Sequence, residues 1–175
     1  MRLLLVASLS VLLVAPAAAD PTIPTNDIIV GAVDNYVRPA FGKFGEDMAS
    51  LEAEMRARCA TPSAAALTAA RDGFKQAVIS YAHIEFMHFG PLTVADRAER
   101  LLFWPDSQGI ALKQVQAALA QKDPTASDPA ALVGKSVAMQ GLGALEFVLF
   151  GTGAEELSSS TETFRCAYGS AIAHN

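Results

Sequence analysis

The stretch TPSAAALTAARDGFKQAVISYA, residues 61–82, decides the fold class of this chain. It opens with Thr61-Pro62, which pairs a capping residue with a proline at the first helical position. Apolar residues then recur with a period near 3.6, at Leu67, Ala70, Phe74, Val78, Tyr81 and Ala82. The pattern predicts one long helix that buries a single face and ends at Gly90-Pro91.

The segments on either side repeat this helical pattern. Helices are predicted over residues 26–58, 96–104, 110–122, 128 to about 150, and 163–175. Pro39 is expected to kink or break the first of these near Arg38, and Trp104, which precedes Pro105, is expected to plug the core. No stretch alternates apolar and polar residues over the length of a strand. The prediction is therefore an all-α fold, an irregular helical bundle.

Residues 1–19 have the pattern of a secretory signal peptide. Arg2 precedes an apolar run over residues 3–14, and three alanines ending at Ala19 form a small-residue cleavage site before Asp20. The run is shorter than the about 20 apolar residues that a membrane-spanning helix needs. We therefore expect cleavage between Ala19 and Asp20, a mature domain over residues 20–175 without a transmembrane span, and a periplasmic or secreted location.

Charge and motifs argue against several function classes. The formal net charge is −5 and becomes more negative once Arg2 is removed, so we expect no nucleic-acid partner. The sequence has no legible serine–histidine–acid pattern, no phosphate-binding glycine loop and no HExxH pair. Residues alone therefore do not support a standard hydrolytic enzyme.

The two cysteines, Cys59 and Cys166, are an isolated pair. In an exported chain such a pair is expected to form one disulfide, which here would join an early helix to a late one. Two free thiols are the alternative.

The segment MQGLGALEFVLFG, residues 139–151, carries the most informative single side chain. Glu146 stands alone in an apolar run, and its neighbours three and four residues away on a helix are all apolar or glycine: Leu142, Gly143, Leu149 and Phe150. An ionised carboxylate in such surroundings is costly unless it is paired, hydrogen-bonded or metal-bound. Either Glu146 is a buried functional carboxylate, or the helix end is exposed and the side chain reaches water.

Four further side chains are candidates for a site. Glu85 and His88 are three residues apart, so one helical face would let both bind one ion; alternatively Glu85 is a surface carboxylate and His88 a residue favoured at a helix C-terminus. Arg97 and Arg100 have the same spacing and form either a solvated face or the partners of nearby carboxylates, for which the candidates are Glu85, Glu99 and Asp106.

Four segments together resemble the imelysin family. They are HFGP at 88–91, RLLFWPDSQGIALKQVQAAL at 100–119, GLGALEFVLFG at 141–151 and FRCAYGSAIAHN at 164–175. Imelysins are exported bacterial helical proteins, sometimes called insulin-cleaving metalloproteinases and often linked to iron regulation. Their signature is G-x-H-x-x-E on a helix. The resemblance carries its glycine to Gly141 and its glutamate to Glu146, whereas Gly143 stands where the family has histidine.

The resemblance implies that the chain is the N-terminal half of a two-bundle protein, with the site between the halves. The function it favours is that of an exported envelope binding protein connected with iron or metal acquisition. The cofactor is unknown, with a divalent metal or iron as the candidates. The alternatives are an imelysin-type metallopeptidase that uses Glu146, which the loss of the histidine at Gly143 puts in doubt, and a non-catalytic helical interaction module. Candidate partners are the missing C-terminal half, an envelope protein or a metal ligand.

Overall fold

The computed structural model describes residues 24–175, so the predicted signal peptide lies outside the described residues. Eight α-helices are described in this part of the chain: α1 Thr25–Ala32, α2 Arg38–Ala60, α3 Ala64–Ala82, α4 Arg97–Leu101, α5 Ile110–Gln121, α6 Pro129–Leu132, α7 Gly141–Phe150 and α8 Thr163–His174. A π-helical segment, Val33–Val37, joins α1 to α2, and short 3-10 segments lie at Gly90–Thr93, Val137–Met139 and Ala154–Ser158. Residues 24–175 contain no strand, and the predicted all-α fold is confirmed.

The two longest helices, α2 and α3, form a hairpin on which the rest of the bundle is built. Helix α8 packs on α2, and α7 packs between α3 and α8. The core contains apolar residues that are at most 1 % exposed, among them Leu51, Met55, Leu145, Val148, Leu149 and Leu157. Burial of such side chains contributes about 1.5–3 kcal/mol each, so the faces predicted from the 3.6 period hold the bundle together.

The hairpin turn begins α3 later than predicted. Ser63, rather than Thr61, is the N-cap, and its hydroxyl accepts a hydrogen bond from the backbone N–H of Ala66 at 3.1 Å. At the other end α3 stops at Ala82, well before Gly90-Pro91. The N-terminal segment is interrupted near Arg38, where Pro39 was expected to kink or break it: the π-helical segment ends at Val37, and α2 begins at Arg38 with Pro39 in its first turn.

The predicted helix from residue 128 to about 150 is three separate elements. Asp128 caps the short α6 by accepting from the N–H of Ala130, and Ser136 caps the 3-10 segment by accepting from the N–H of Ala138. Gly141 then has a φ of +69°, in the left-handed region that glycine tolerates best. A Cβ at this position would collide with the carbonyl oxygens of Arg100 and Leu101. The single-helix prediction was wrong, because α6 already ends at Leu132 and α7 begins only at Gly141, where this non-local contact requires a glycine.

Cys59, near the end of α2, and Cys166, on α8, form a disulfide with a Cα–Cα distance of 5.7 Å. The predicted pairing of an early helix with a late one is confirmed. Among residues 24–175 no helix is both long enough and apolar enough to span a bilayer.

Candidate functional site

The helix that carries Glu146, α7, is fixed at its C-terminal end by two arginines. Arg165 is buried and donates to the carbonyls of Val148 (3.2 Å) and Thr152 (2.7 Å), while Arg71 donates to the carbonyl of Leu149 at 2.9 Å. These carbonyls belong to the last turn and its exit, where a helix leaves acceptors without internal partners. Positive charge at this end also complements the helix dipole, so α7 is held in one position.

The N-terminal end of α7 is fixed by packing against α4 and α8. Gly141 lies against the backbone of Arg100 and Leu101, and Tyr168 of α8 donates its hydroxyl to the carbonyl of Met139 at 2.7 Å. Tyr168 is fully buried, and burial raises the pKa of its hydroxyl. The side chains of α7 are therefore presented from a rigid element.

Glu146 and Glu85 line one small cleft of about 180 Å³ between α3 and α7. We call it the carboxylate cleft. No lysine, arginine or histidine lines the cleft, and Gly143 lies on its wall. The other lining side chains are apolar or aromatic: Phe74, Val78, Tyr81, Ala82, Leu102 and Leu142. Glu146 is exposed while Leu142 and Leu149 beside it are buried. Glu146 is therefore exposed rather than buried, although its side chain still borders a cleft.

The two carboxylates of the cleft have no positively charged partner among the salt bridges of the described residues. The salt bridges within residues 24–175 include neither Glu85 nor Glu146. Burial raises the pKa of the Tyr81 hydroxyl, and the negative charges of Glu85 and Glu99 raise it further. The cleft therefore favours positive charge.

His88 and Glu85 do not share a helical face. Because α3 ends at Ala82, Glu85 lies in a turn and His88 in the irregular stretch that follows. His88 is not among the residues that line the carboxylate cleft. The helix that was predicted to carry both residues ends before either of them, so their spacing of three residues does not place them on one face. In the described part of the chain no group of three or more His, Cys, Asp or Glu side chains is placed to hold a metal ion.

The arginines of α4 also face elsewhere. Arg100 donates to the carbonyls of Ala95 (3.2 Å) and Val133 (2.8 Å) and to the side-chain oxygen of Gln140 (3.2 Å). Arg97 donates to the carbonyl of Pro91 at 3.2 Å. Neither forms a salt bridge with the carboxylates considered for it from the sequence. One of those, Asp106, instead accepts from two backbone N–H groups at the start of α5.

Trp104 is a site residue that the sequence prediction missed. It was expected in the core, yet it is 78 % exposed. It lines a second cleft of about 400 Å³, together with Phe103, Phe150 and Glu146. This cleft shares Leu102, Gly143 and Glu146 with the carboxylate cleft, so the two adjoin each other at α7. The sequence feature that could have indicated its exposure is its position before Pro105, in a loop between two short helices.

The imelysin family model matches residues 37–175. The chain belongs to the imelysin family. No curated protein and no solved structure matches it.

The imelysin signature takes on a structural meaning in this chain. Position 141 favours glycine because its φ is positive and the backbone of α4 lies against it. Glu146 borders the carboxylate cleft. Gly143 lines both clefts, and a Cβ placed there would meet nothing closer than Leu102 Cδ1 at 4.0 Å. A side chain can therefore begin at this position without a clash at Cβ. The absence of a histidine leaves two carboxylates, which are fewer protein donors than the three or four of a typical zinc site. This donor set does not fit a resident metal cofactor.

Proposed function

We propose that this imelysin is an exported envelope binding protein whose carboxylate cleft takes a polyvalent cation, with iron in chelated form as the cargo. The observation that carries the proposal is that Glu85 and Glu146, from separate parts of the chain, border one cleft without any basic side chain. Two carboxylates supply part of the oxygen shell that a hard cation prefers. The remaining ligands would arrive with the cargo as a small chelator or as water.

Binding rather than peptide hydrolysis follows from the donor set. Gly143 supplies neither a metal ligand nor a general base, so the carboxylates lack the imidazole that the family signature pairs with its glutamate. The family's link with iron regulation supports iron as the cargo. Export is supported by the signal-peptide pattern of residues 1–19 and by the disulfide, since disulfides persist in oxidising compartments.

Terbium(III), a hard trivalent cation, tests the cleft directly. Trp104 is the single tryptophan of the chain and borders the adjoining cleft with Glu146, so bound Tb³⁺ should show luminescence sensitised by it. We expect Glu146→Gln and Glu85→Gln each to weaken Tb³⁺ binding about tenfold or more, the loss expected of one charged ligand. Ferric citrate should displace more Tb³⁺ from the unaltered protein than the same concentration of citrate alone, which removes Tb³⁺ only by chelating it in solution.

Glu46→Gln is the matched control, because Glu46 is an exposed carboxylate on α2 that borders neither cleft. Equal losses in Glu46→Gln and Glu146→Gln would mean that Tb³⁺ reports only overall negative charge, and the proposal would fail. Export is checked separately: the protein recovered from the periplasm should begin at Asp20 by mass spectrometry.

A further inference from the structure

A third cavity, which shares only Leu142 with the carboxylate cleft, extends from the surface into the core. Its volume is about 420 Å³, within the about 300–1,000 Å³ of small-molecule sites. Its inner wall consists of Leu142, Leu145 and Ile172, which are at most 4 % exposed, and Met48 and Leu101 extend that wall toward the surface. An apolar wall of this depth suits a hydrocarbon group.

Two arginines of α4, Arg97 and Arg100, border the same cavity. The Arg100 guanidinium is held by neutral acceptors alone: two backbone carbonyls and the amide oxygen of Gln140. Gln140 is 4 % exposed, and its amide nitrogen donates to the carbonyl of Lys135 at 2.9 Å, which orients the amide oxygen toward Arg100. The positive charge is thus fixed in place, and no carboxylate neutralises it within residues 24–175.

This arrangement sets these two apart from the other arginines of the described chain. Arg38, Arg56 and Arg71 each form a salt bridge with an acidic side chain, and Arg58 and Arg165 are buried against backbone carbonyls. Arg97 and Arg100 differ from them in two ways: neither forms a salt bridge, and both border an apolar cavity. Two guanidinium groups beside an apolar cavity favour an anionic ligand group, because their N–H groups donate charge-assisted hydrogen bonds.

We propose that this cavity binds a single-chain amphiphile with a carboxylate head, of the fatty-acid type. The carboxylate accepts hydrogen bonds from Arg97 and Arg100, and the hydrocarbon tail lies along Leu142, Leu145 and Ile172. The site is separate from the carboxylate cleft and does not depend on the function proposed for that cleft. A cationic amphiphile of the same tail length would meet two positive charges and is excluded by repulsion.

Laurate is the probe, used below its micellar concentration with the mature protein. Calorimetry measures its affinity, and ¹³C-methyl methionine NMR locates it, because Met48 lines the cavity whereas the buried Met87 does not. Laurate should shift the Met48 methyl resonance and leave that of Met87 unchanged. Arg100→Gln should weaken binding about tenfold, as expected for a charge-assisted hydrogen bond, and the exposed Arg97→Gln several-fold.

The controls separate head-group recognition from general adsorption. Arg38→Gln removes an arginine outside the cavity and should leave laurate affinity unchanged, and dodecyltrimethylammonium and dodecanol should bind far more weakly than laurate. Should Arg100→Gln fail to fold by circular dichroism, Arg97→Gln decides alone. The proposal is overturned if laurate binds the arginine variants as tightly as the unaltered protein, if the cationic amphiphile binds equally well, or if Met48 does not respond.

Discussion

Replacing Gly143 with histidine should give the carboxylate cleft an imidazole beside its two carboxylates. Gly143 is the third residue of α7, three before Glu146, so the two positions share a helical face. Glu85 borders the same cleft from the end of α3. Histidine and two glutamates form a three-ligand set of the kind that binds Zn²⁺ with an open coordination position. We expect Gly143→His to bind Zn²⁺, and Gly143→Ala, which adds no ligand, not to gain binding.

The change in stability can be estimated from the surroundings of Gly143. A Cβ there makes only an ordinary contact with Leu102 Cδ1 at 4.0 Å, so alanine at this position carries no steric cost. Glycine within a helix is about 0.5–1 kcal/mol less favourable than alanine, and about 1 kcal/mol shifts Tm by about 2–4 °C in a domain of this size. Gly143→Ala should therefore raise Tm by about 1–4 °C, and Gly143→His by less, because histidine is a poorer helix former.

Zinc binding should raise the Tm further, and only in the histidine variant. A ligand present at 100 times its Kd stabilises the folded state by about 2.7 kcal/mol, which corresponds to about 5–10 °C in Tm. The assay is thermal unfolding followed by circular dichroism, with and without Zn²⁺, for the parent, Gly143→Ala and Gly143→His. Adding Glu85→Gln or Glu146→Gln to Gly143→His should reduce the zinc-dependent shift.

Equal zinc shifts in Gly143→Ala and Gly143→His would refute the reasoning, since they would mean that position 143 does not face the carboxylates. A histidine-dependent shift that Glu85→Gln leaves unchanged would refute only the contribution of Glu85.

Three further predictions concern the frame that positions the cleft. Mutating Cys59 and Cys166 to serine opens a loop closed across 107 residues. On the chain-entropy model this should lower the free energy of unfolding, measured with urea, by about 5 kcal/mol. Arg165→Met leaves the α7 carbonyls without their donor and should cost about 3 kcal/mol in the same assay; a loss below about 0.5 kcal/mol would show that Arg165 does not anchor the helix. Hydrogen bonds from the Lys135 side chain and then from Thr125 lower the pKa of Asp123 from 3.8 to about 2. The stabilisation from this depressed pKa is present above pH 3.8 and is lost as pH falls toward 2, so Lys135→Met should flatten stability in that acid range, whereas an unchanged acid profile would contradict the assignment.

The helical faces of the bundle were predictable because they arise from local spacing. The 3.6-residue period of residues 61–82 places its apolar side chains on one side whatever the helix packs against. Leu67, Ala70, Phe74 and Tyr81 are buried as predicted, whereas Val78 and Ala82 of the predicted face are exposed. The same holds for the chemistry of the cysteine pair. Period and composition are properties of the chain itself, and they were sufficient for the fold class and the disulfide.

Helix ends and side-chain partners required the tertiary structure, because they depend on residues distant in sequence. The continuous helix predicted up to Phe150 is interrupted where Gly141 meets the backbone of α4, a contact that spans some forty positions of the chain. Arg100 has carboxylates nearby in sequence but faces acceptors brought to it by folding, and Trp104 lies outside the core that its size predicts.

Glu146 shows both parts of this division. Its isolation among apolar residues is written in the sequence and marked it as a candidate site residue. Whether it was buried or exposed, and which carboxylate shares its cleft, depended on where α3 ends relative to α7. The sequence by itself determined the residue types and the face of each helix, because these follow from spacing along one chain segment. Only the tertiary structure decided that Glu85 and Glu146 border one cleft while Arg97 and Arg100 border another cavity, because long-range packing sets the positions of separate helices.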